Sequence, residues 1–251
     1  MLREKIVFGP IRSRRLGRSL GINLLPEEGK ICNFDCIYCE CGWNRDGLGD
    51  THIPSAEEVE AALLQKLRSC REEGVAIDSI TFSGDGEPTL NPQFPEIVDI
   101  TLRLRDEFYP EAVVSVLTNA TNLSRPGVFE ALRRVDNAIL KLDAPFDDDA
   151  RLINQPQVPY SVRRVVEMMK AFKGNFVLQT MLLQGAGFDP SSPKWISAWS
   201  DIVREVRPKE IMVYTIARET PQEGLSAFSA DKMREMVKPL VEEGFTVKVF
   251  G

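Results

Sequence analysis

Six short apolar segments recur along this chain. Each leads into a polar or glycine-rich loop and then into an amphipathic helix, and this recurrence limits the possible fold more than any other feature. The strands read at residues 19–25, 80–82, 113–117, 138–142, 176–181 and 211–214, with a short final strand at 245–250. Helices read near 55–71, 93–107, 126–134, 160–172, 193–206 and 230–243. The first has apolar Val59, Leu63, Leu64 and Leu67 on one face. It opens with Ser55 and Glu58 spaced as a capping box and closes at Gly74. Strand–helix alternation predicts a parallel sheet, which right-handed crossovers would curl. A flat, doubly wound sheet is the alternative. No internal repeat, low-complexity tract or linker marks a second domain. Residues 19–251 therefore read as one domain behind an arginine-rich extension at 1–18.

In parallel α/β folds the loops leaving the C-terminal ends of the strands build the site. The chain's unusual polar residues fall on those loops. After the first strand comes Cys-Asn-Phe-Asp-Cys-Ile-Tyr-Cys, placing Cys32, Cys36 and Cys39 within eight residues. Gly84-Asp-Gly-Glu-Pro88 follows the second strand, Thr118-Asn119 the third and Asp143 the fourth; Gln179-Thr180 ends the fifth. The five cysteines are an odd number, four of them crowded into ten residues, which is no disulfide framework. Such a cluster reads as metal-binding. Three thiolates can grip three corners of a cubic iron–sulfur cluster. Zinc is the alternative, completed by Cys41 or His52, although structural zinc sites usually use two well-separated ligand pairs.

Cys-x3-Cys-x2-Cys with an aromatic residue, Tyr38, before the third cysteine resembles the signature of the radical S-adenosylmethionine (SAM) enzymes. Phe-Gly-Pro, Ser-Arg-Arg-Leu-Gly-Arg-Ser-Leu-Gly and the cysteine loop, within residues 8–43, resemble the branch that holds the wyosine tRNA-base synthases and many uncharacterised iron–sulfur oxidoreductases. The resemblance implies a partial (β/α)6 barrel. It also implies a 4Fe–4S cluster on Cys32, Cys36 and Cys39, whose fourth iron takes SAM. One electron would cleave SAM to methionine and a 5′-deoxyadenosyl radical, which abstracts hydrogen from substrate. It implies an electron donor such as flavodoxin or ferredoxin and a small-molecule or peptide substrate. Gly84, Asp85, Gly86 and Glu87 resemble the family's Gly-Gly-Glu-Pro loop, with Asp85 set between the glycines. Thr118 and Asn119 resemble its Thr-Asn-Gly, with Ala120 in place of glycine. Lys141 and Asp143 fall at its Leu-Asp-Ala/Ser segment, and alternation puts them on one face of the strand. By resemblance these residues, with Tyr38, contact SAM. The ordinary readings are a βα turn for 84–88, a helix cap for Asp143, a solvated Lys141 and loop packing for Tyr38.

The wyosine synthases use three further cysteines for a second cluster. Only Cys41 and Cys70 remain here, so one cluster is expected. Hydrogen abstraction from a small molecule or peptide is the leading expectation. Modification of a tRNA base, activation of a glycyl-radical enzyme and plain metal binding are the alternatives. A net charge of −6 argues against a broadly basic nucleic-acid binder. Arg3, Lys5, Arg12, Arg14, Arg15 and Arg18 nevertheless mass at the N-terminus. Their arginines would grip a phosphate or carboxylate, or pair with surface acids. They precede the first strand and so lie at its wrong end for the cleft. No apolar run suggests a membrane helix or signal peptide, and a cytoplasmic location is expected. Asp147-Asp148-Asp149 reads as a solvated loop or helix start. His52 reads as incidental. Cys70, Trp43, Trp195, Trp199, Met168, Met169, Met181 and Met212 read as packing residues.

Overall fold

A computed structural model describes residues 5–47 and 49–251; Arg3 lies outside them. The chain forms two compact units interleaved in sequence. The first comprises Met1–Cys32, Asn44–Thr118 and Asn122–Ala138, and the second Asn33–Trp43, Asn119–Thr121 and Ile139–Gly251.

In the first unit, β1 (Val7–Ser13) runs antiparallel to β2 (Gly17–Ile22). Then come α1 (Ala56–Glu72), β3 (Ser79–Phe82), α2 (Phe94–Phe108), β4 (Val113–Thr118) and α3 (Val128–Arg134). Strands β2, β3 and β4 are parallel neighbours, with Leu20 opposite Ile80 and Ile80 opposite Val114. Their alternation gives two unlike faces. Leu20, Ile22, Ile80, Phe82, Val114 and Val116 form a fully buried apolar row. The other face is hydroxylic. Ser19 and Ser79 hydrogen-bond Thr81 at 2.8 and 2.9 Å, and Ser79 donates to Ser115 at 3.5 Å. The Ser55–Glu58 capping box forms in full, and Gly74, at φ 66°, follows the end of α1 in the left-handed conformation.

The chain enters the second unit within β5 (Asn137–Lys141). It continues through α4 (Asp147–Asn154), α5 (Val162–Lys170), β6 (Val177–Met181), β7 (Leu183–Gln184) and α6 (Pro193–Val206). It ends with β8 (Glu210–Tyr214), β9 (Ser226–Ala227), α7 (Ala230–Glu242) and β10 (Val247–Phe250). Here β5, β6, β8 and β10 are parallel neighbours, while β7 and β9 form a two-residue antiparallel pair. The three aspartates at 147–149 begin α4, where negative charge suits the helix dipole. Trp195 and Trp199 stack at 6.2 Å in the core, as their one-turn spacing predicts.

Strand β1 is the main element that sequence reading leaves out. It contains Gly9-Pro10 and a register break between Phe8 and Ile11, and only Val7 is buried, so its pattern is too broken to read. Its pairing with β2 sets Phe8 opposite Gly21, where a Cβ would come within 2.1 Å of the end of the ring. Among the described residues no helix is long and apolar enough to cross a membrane.

Candidate functional site

In the first unit the site is made by backbone. Asn23, fully buried just past β2, donates its amide to Asp85 Oδ2 at 3.1 Å. Its Oδ1 accepts the backbone N–H of Asp85 (3.1 Å) and of Leu25 (3.2 Å). The segment leading to Cys32 is then stitched to the loop by a parallel bridge between Ile31 and Gly86. Ile31 N–H donates to Asp85 O at 3.0 Å and Glu87 N–H to Ile31 O at 3.1 Å. This approach leaves no room for side chains. A Cβ at Gly86, where φ is 141°, would lie 1.8 Å from Ile31 O, and one at Gly84 would lie 2.2 Å from Asn23 Oδ1. Both glycines are therefore required where they stand, and Asp85 fits between them because Asn23 receives its carboxylate. Glu87, 2% exposed, accepts on Oε1 from Thr89 N–H (3.2 Å), Thr89 Oγ1 (2.5 Å) and Thr118 Oγ1 (2.6 Å). It thereby caps the 3-10 turn Pro88–Leu90 and joins two of the expected residues.

In the second unit the site is made by side chains. Asp143, at the C-terminal end of β5, is buried at 1% exposure. Its Oδ1 accepts Met181 N–H at 2.9 Å. Its Oδ2 accepts Asn154 Nδ2 at 2.6 Å and the hydroxyl of Tyr38. Lys141 Nζ lies 3.5 Å from the same oxygen and donates to Tyr38 Oη (2.8 Å) and Tyr214 Oη (2.7 Å). Lys141 and Asp143 thus share a face, as alternation predicts. Burial opposes the lysine's charge, but Asp143, Tyr214 and Cys36 outweigh it and raise its pKa. Burial likewise raises the Tyr38 hydroxyl, with Asp143 adding to it. Tyr214, Asn154 and Asn23 are the participants that sequence reading misses. Tyr214 and Asn23 stand at or just past the ends of parallel strands, a signal the strand-end rule offers. Asn154 ends α4 and has no such signal.

Asn119 orients the cysteine loop. Its amide donates to Asn33 Oδ1 at 2.6 Å, and Asn33 in turn donates to Thr121 Oγ1 at 2.5 Å. Ala120, where the resemblance expects glycine, is left-handed at φ 63°. Turns follow at Cys39 N–H to Cys36 O (3.1 Å) and Gly42 N–H to Cys39 O (3.0 Å). Cys32 belongs to the first unit, and Cys36, Cys39 and Cys41 to the second.

The donors fit an iron–sulfur cluster. Phe34, Cys36, Ile37 and Tyr38 are all buried, and burial pushes the Cys36 thiol up to about 12 while Lys141 pulls the other way. A metal binds the thiolate, so coordination at Cys36 would displace this proton. Gln179 adds a second sign of a ligand. It stands opposite Lys141 in register, and its buried Nε2 finds no hydrogen-bond partner among the described residues. An unmet buried donor costs about 1–3 kcal/mol, which a bound acceptor relieves. Among the described residues no three His, Cys, Asp or Glu side chains converge as on a single metal ion. His52 pairs with Glu58 at 3.0 Å, and Cys70 is buried in α1.

The arginines lie elsewhere. Arg12, Arg14, Arg15 and Arg18 line a cavity of about 690 Å³ with Asp78, around the β1–β2 turn. This is the N-terminal end of β2, opposite the end that carries Asn23. Arg18 grips Asp78 bidentately, Nε to Oδ2 at 3.0 Å and Nη2 to Oδ1 at 2.7 Å, and these bonds hold the Asp78 carboxyl down at about 2.

The family model for the radical SAM superfamily matches residues 29–189. A UPF0026 protein of Synechocystis is 31% identical over 86% of this chain and 77% of its own length. The chain spans 35% and 64% of the length of two further curated relatives. Its fold is similar to that of a radical SAM methyltransferase from Sphaerobacter thermophilus, with TM-score 0.68 and 17% identity over 92% of this chain and 66% of that one. It is also similar to TYW1 with a lysine-pyruvate adduct bound, with TM-score 0.63 and 15% identity over 91% and 74%. The fold is thus the α/β partial barrel that the resemblance implies. The chain belongs to the radical SAM superfamily, an enzyme superfamily, and within it to the UPF0026 proteins.

Proposed function

We propose that the protein is a one-cluster radical SAM oxidoreductase that abstracts hydrogen from a small molecule or peptide. Cys32, Cys36 and Cys39 would hold a 4Fe–4S cluster. The cluster, when bound, supplies the electron for reductive cleavage of SAM to methionine and a hydrogen-abstracting radical. The observation that carries this reading is the position of Cys36. Through Asn154 its sulfur reaches Asp143, and through Asp143 the charged Lys141, so one cluster ligand and one cation share a buried network.

The chain's own residues would divide the work. Tyr38, Tyr214 and Asp143 hold Lys141 charged and fixed, and the SAM carboxylate would take one of its donors in exchange for one of these partners. Gln179 offers its amide donor beside it. Gly84 and Gly86 let Asn23 and Ile31 close onto the loop, which would fix the backbone near Asp85 and Glu87 for the methionine moiety. Thr118 and Thr89 fix the Glu87 carboxylate. Phe34 and Ile37 keep water from the thiolates.

Among the fold's neighbours are a protein bound to its precursor peptide and TYW1, so the fold alone does not choose a substrate. The arginine turn favours an RNA substrate as the second reading, but it sits at the far end of β2, and Cys41 and the buried Cys70 cannot supply three ligands for a second cluster. Anaerobically reconstituted protein, given reductant and SAM, should release 5′-deoxyadenosine. Cys36→Ala should abolish that release and Cys41→Ala should keep it. No 5′-deoxyadenosine from the wild-type protein would refute the proposal.

A further inference from the structure

Asn154 touches two parts of the second unit at once. Its side chain is 1% exposed at the C-terminal end of α4. Its Nδ2 donates to Asp143 Oδ2 at 2.6 Å and to Cys36 Sγ at 3.4 Å. The amide orientation follows from chemistry: an ionised carboxylate only accepts, so the nitrogen must face Asp143. The amide's two N–H groups then serve one carboxylate and one sulfur. Backbone ties hold the geometry, since Asp35 N–H donates to Asn154 O at 2.9 Å and Ile37 N–H to Ile153 O at 3.1 Å. The end of α4 is thus bound to the residues on either side of Cys36.

We propose that Asn154 is a positioning residue that donates a hydrogen bond to the Cys36 thiolate and thereby raises the reduction potential of the cluster this cysteine anchors. This rests on the functional reading above. Hydrogen bonds to cluster sulfurs stabilise the more negative, reduced state and are among the determinants of iron–sulfur potentials. The other donation keeps the amide from rotating, because turning it would set Oδ1 against the Asp143 carboxylate. Asp143 therefore orients the donor and Asn154 delivers it.

The test compares wild type with Asn154→Leu, which removes both N–H donors at similar volume, and Asn154→Ser, which keeps a shorter donor. Iron content, thermal unfolding of the metal-free protein and an EPR-monitored redox titration are measured on each. The expected result is unchanged iron with a potential lowered in Asn154→Leu and partly restored in Asn154→Ser. An unchanged potential at full iron content would overturn the proposal and leave the functional reading intact. If neither variant folds, the wild-type protein decides. With 15N-labelled asparagine, the reduced cluster should show a hyperfine-coupled side-chain nitrogen, and its absence overturns the proposal. Failure of wild-type protein to assemble any cluster would take down both readings.

Discussion

The two units bring their expected site residues together by opposite means. In the first, close backbone approach does the work: Gly84 and Gly86 permit the Ile31 bridge, the Asn23 side chain holds the Asp85 backbone, and Glu87 caps the turn that follows it. In the second, side chains far apart in sequence meet around Asp143 and Lys141, with Tyr38 and Tyr214 over 70 residues from Lys141. A backbone-built site cannot tolerate one added carbon. A side-chain network degrades one donor at a time.

The largest effect should come from Gly86→Ala. The added Cβ has nowhere to go, and φ of 141° is strained for any L side chain. A loss of about 3 kcal/mol or more in unfolding free energy is expected. A variant as stable as wild type by denaturant titration would show that the Ile31 bridge is dispensable.

Lys141→Met tests the other architecture. It leaves Asp143 without its cation, and breaking such a buried pair costs about 3 kcal/mol. SAM affinity, read by equilibrium binding to the reconstituted protein, should fall at least about tenfold, or about 1.4 kcal/mol. Tyr214→Phe removes one hydrogen bond to a charged group and should cost about 1.5–3 kcal/mol at most. Equal losses in the two variants would mean that the network fails as a whole and not donor by donor.

The smallest effect belongs to the arginine turn. The folded-state pKa of Asp78 is about 2, below the ordinary 3.8. Its bond to Arg18 therefore contributes fully above about pH 4 and is lost as pH falls toward 2. Asp78→Asn should flatten that acid limb slightly and leave SAM cleavage unchanged at neutral pH, since the pair is solvent-exposed and lies at the other end of β2.

The same contrast explains what the amino-acid sequence discloses. The Ser55–Glu58 box acts over three residues, so spacing reveals it; Gly84 and Gly86 are legible as a glycine-rich loop after a strand, although the partners that require them, Asn23 and Ile31, lie far back in the chain. Lys141 and Asp143 are legible as a pair because strand alternation sets their face. Asn154 and Tyr214 acquire their roles only when α4 and β8 fold back on the cysteine loop. An asparagine before Gln155 says nothing of a thiol 118 residues away. Strand β1 is hidden for another reason: its pairing sets a ring against Gly21, and its own pattern is interrupted by Gly9-Pro10 and by Arg12.

One cluster per chain is the central claim, and metal content tests it most directly. Protein reconstituted without oxygen should hold about four irons and matching sulfide per chain, keep them in Cys41→Ala and lose them in Cys36→Ala. About eight irons, or stoichiometric zinc with no cluster, would contradict it.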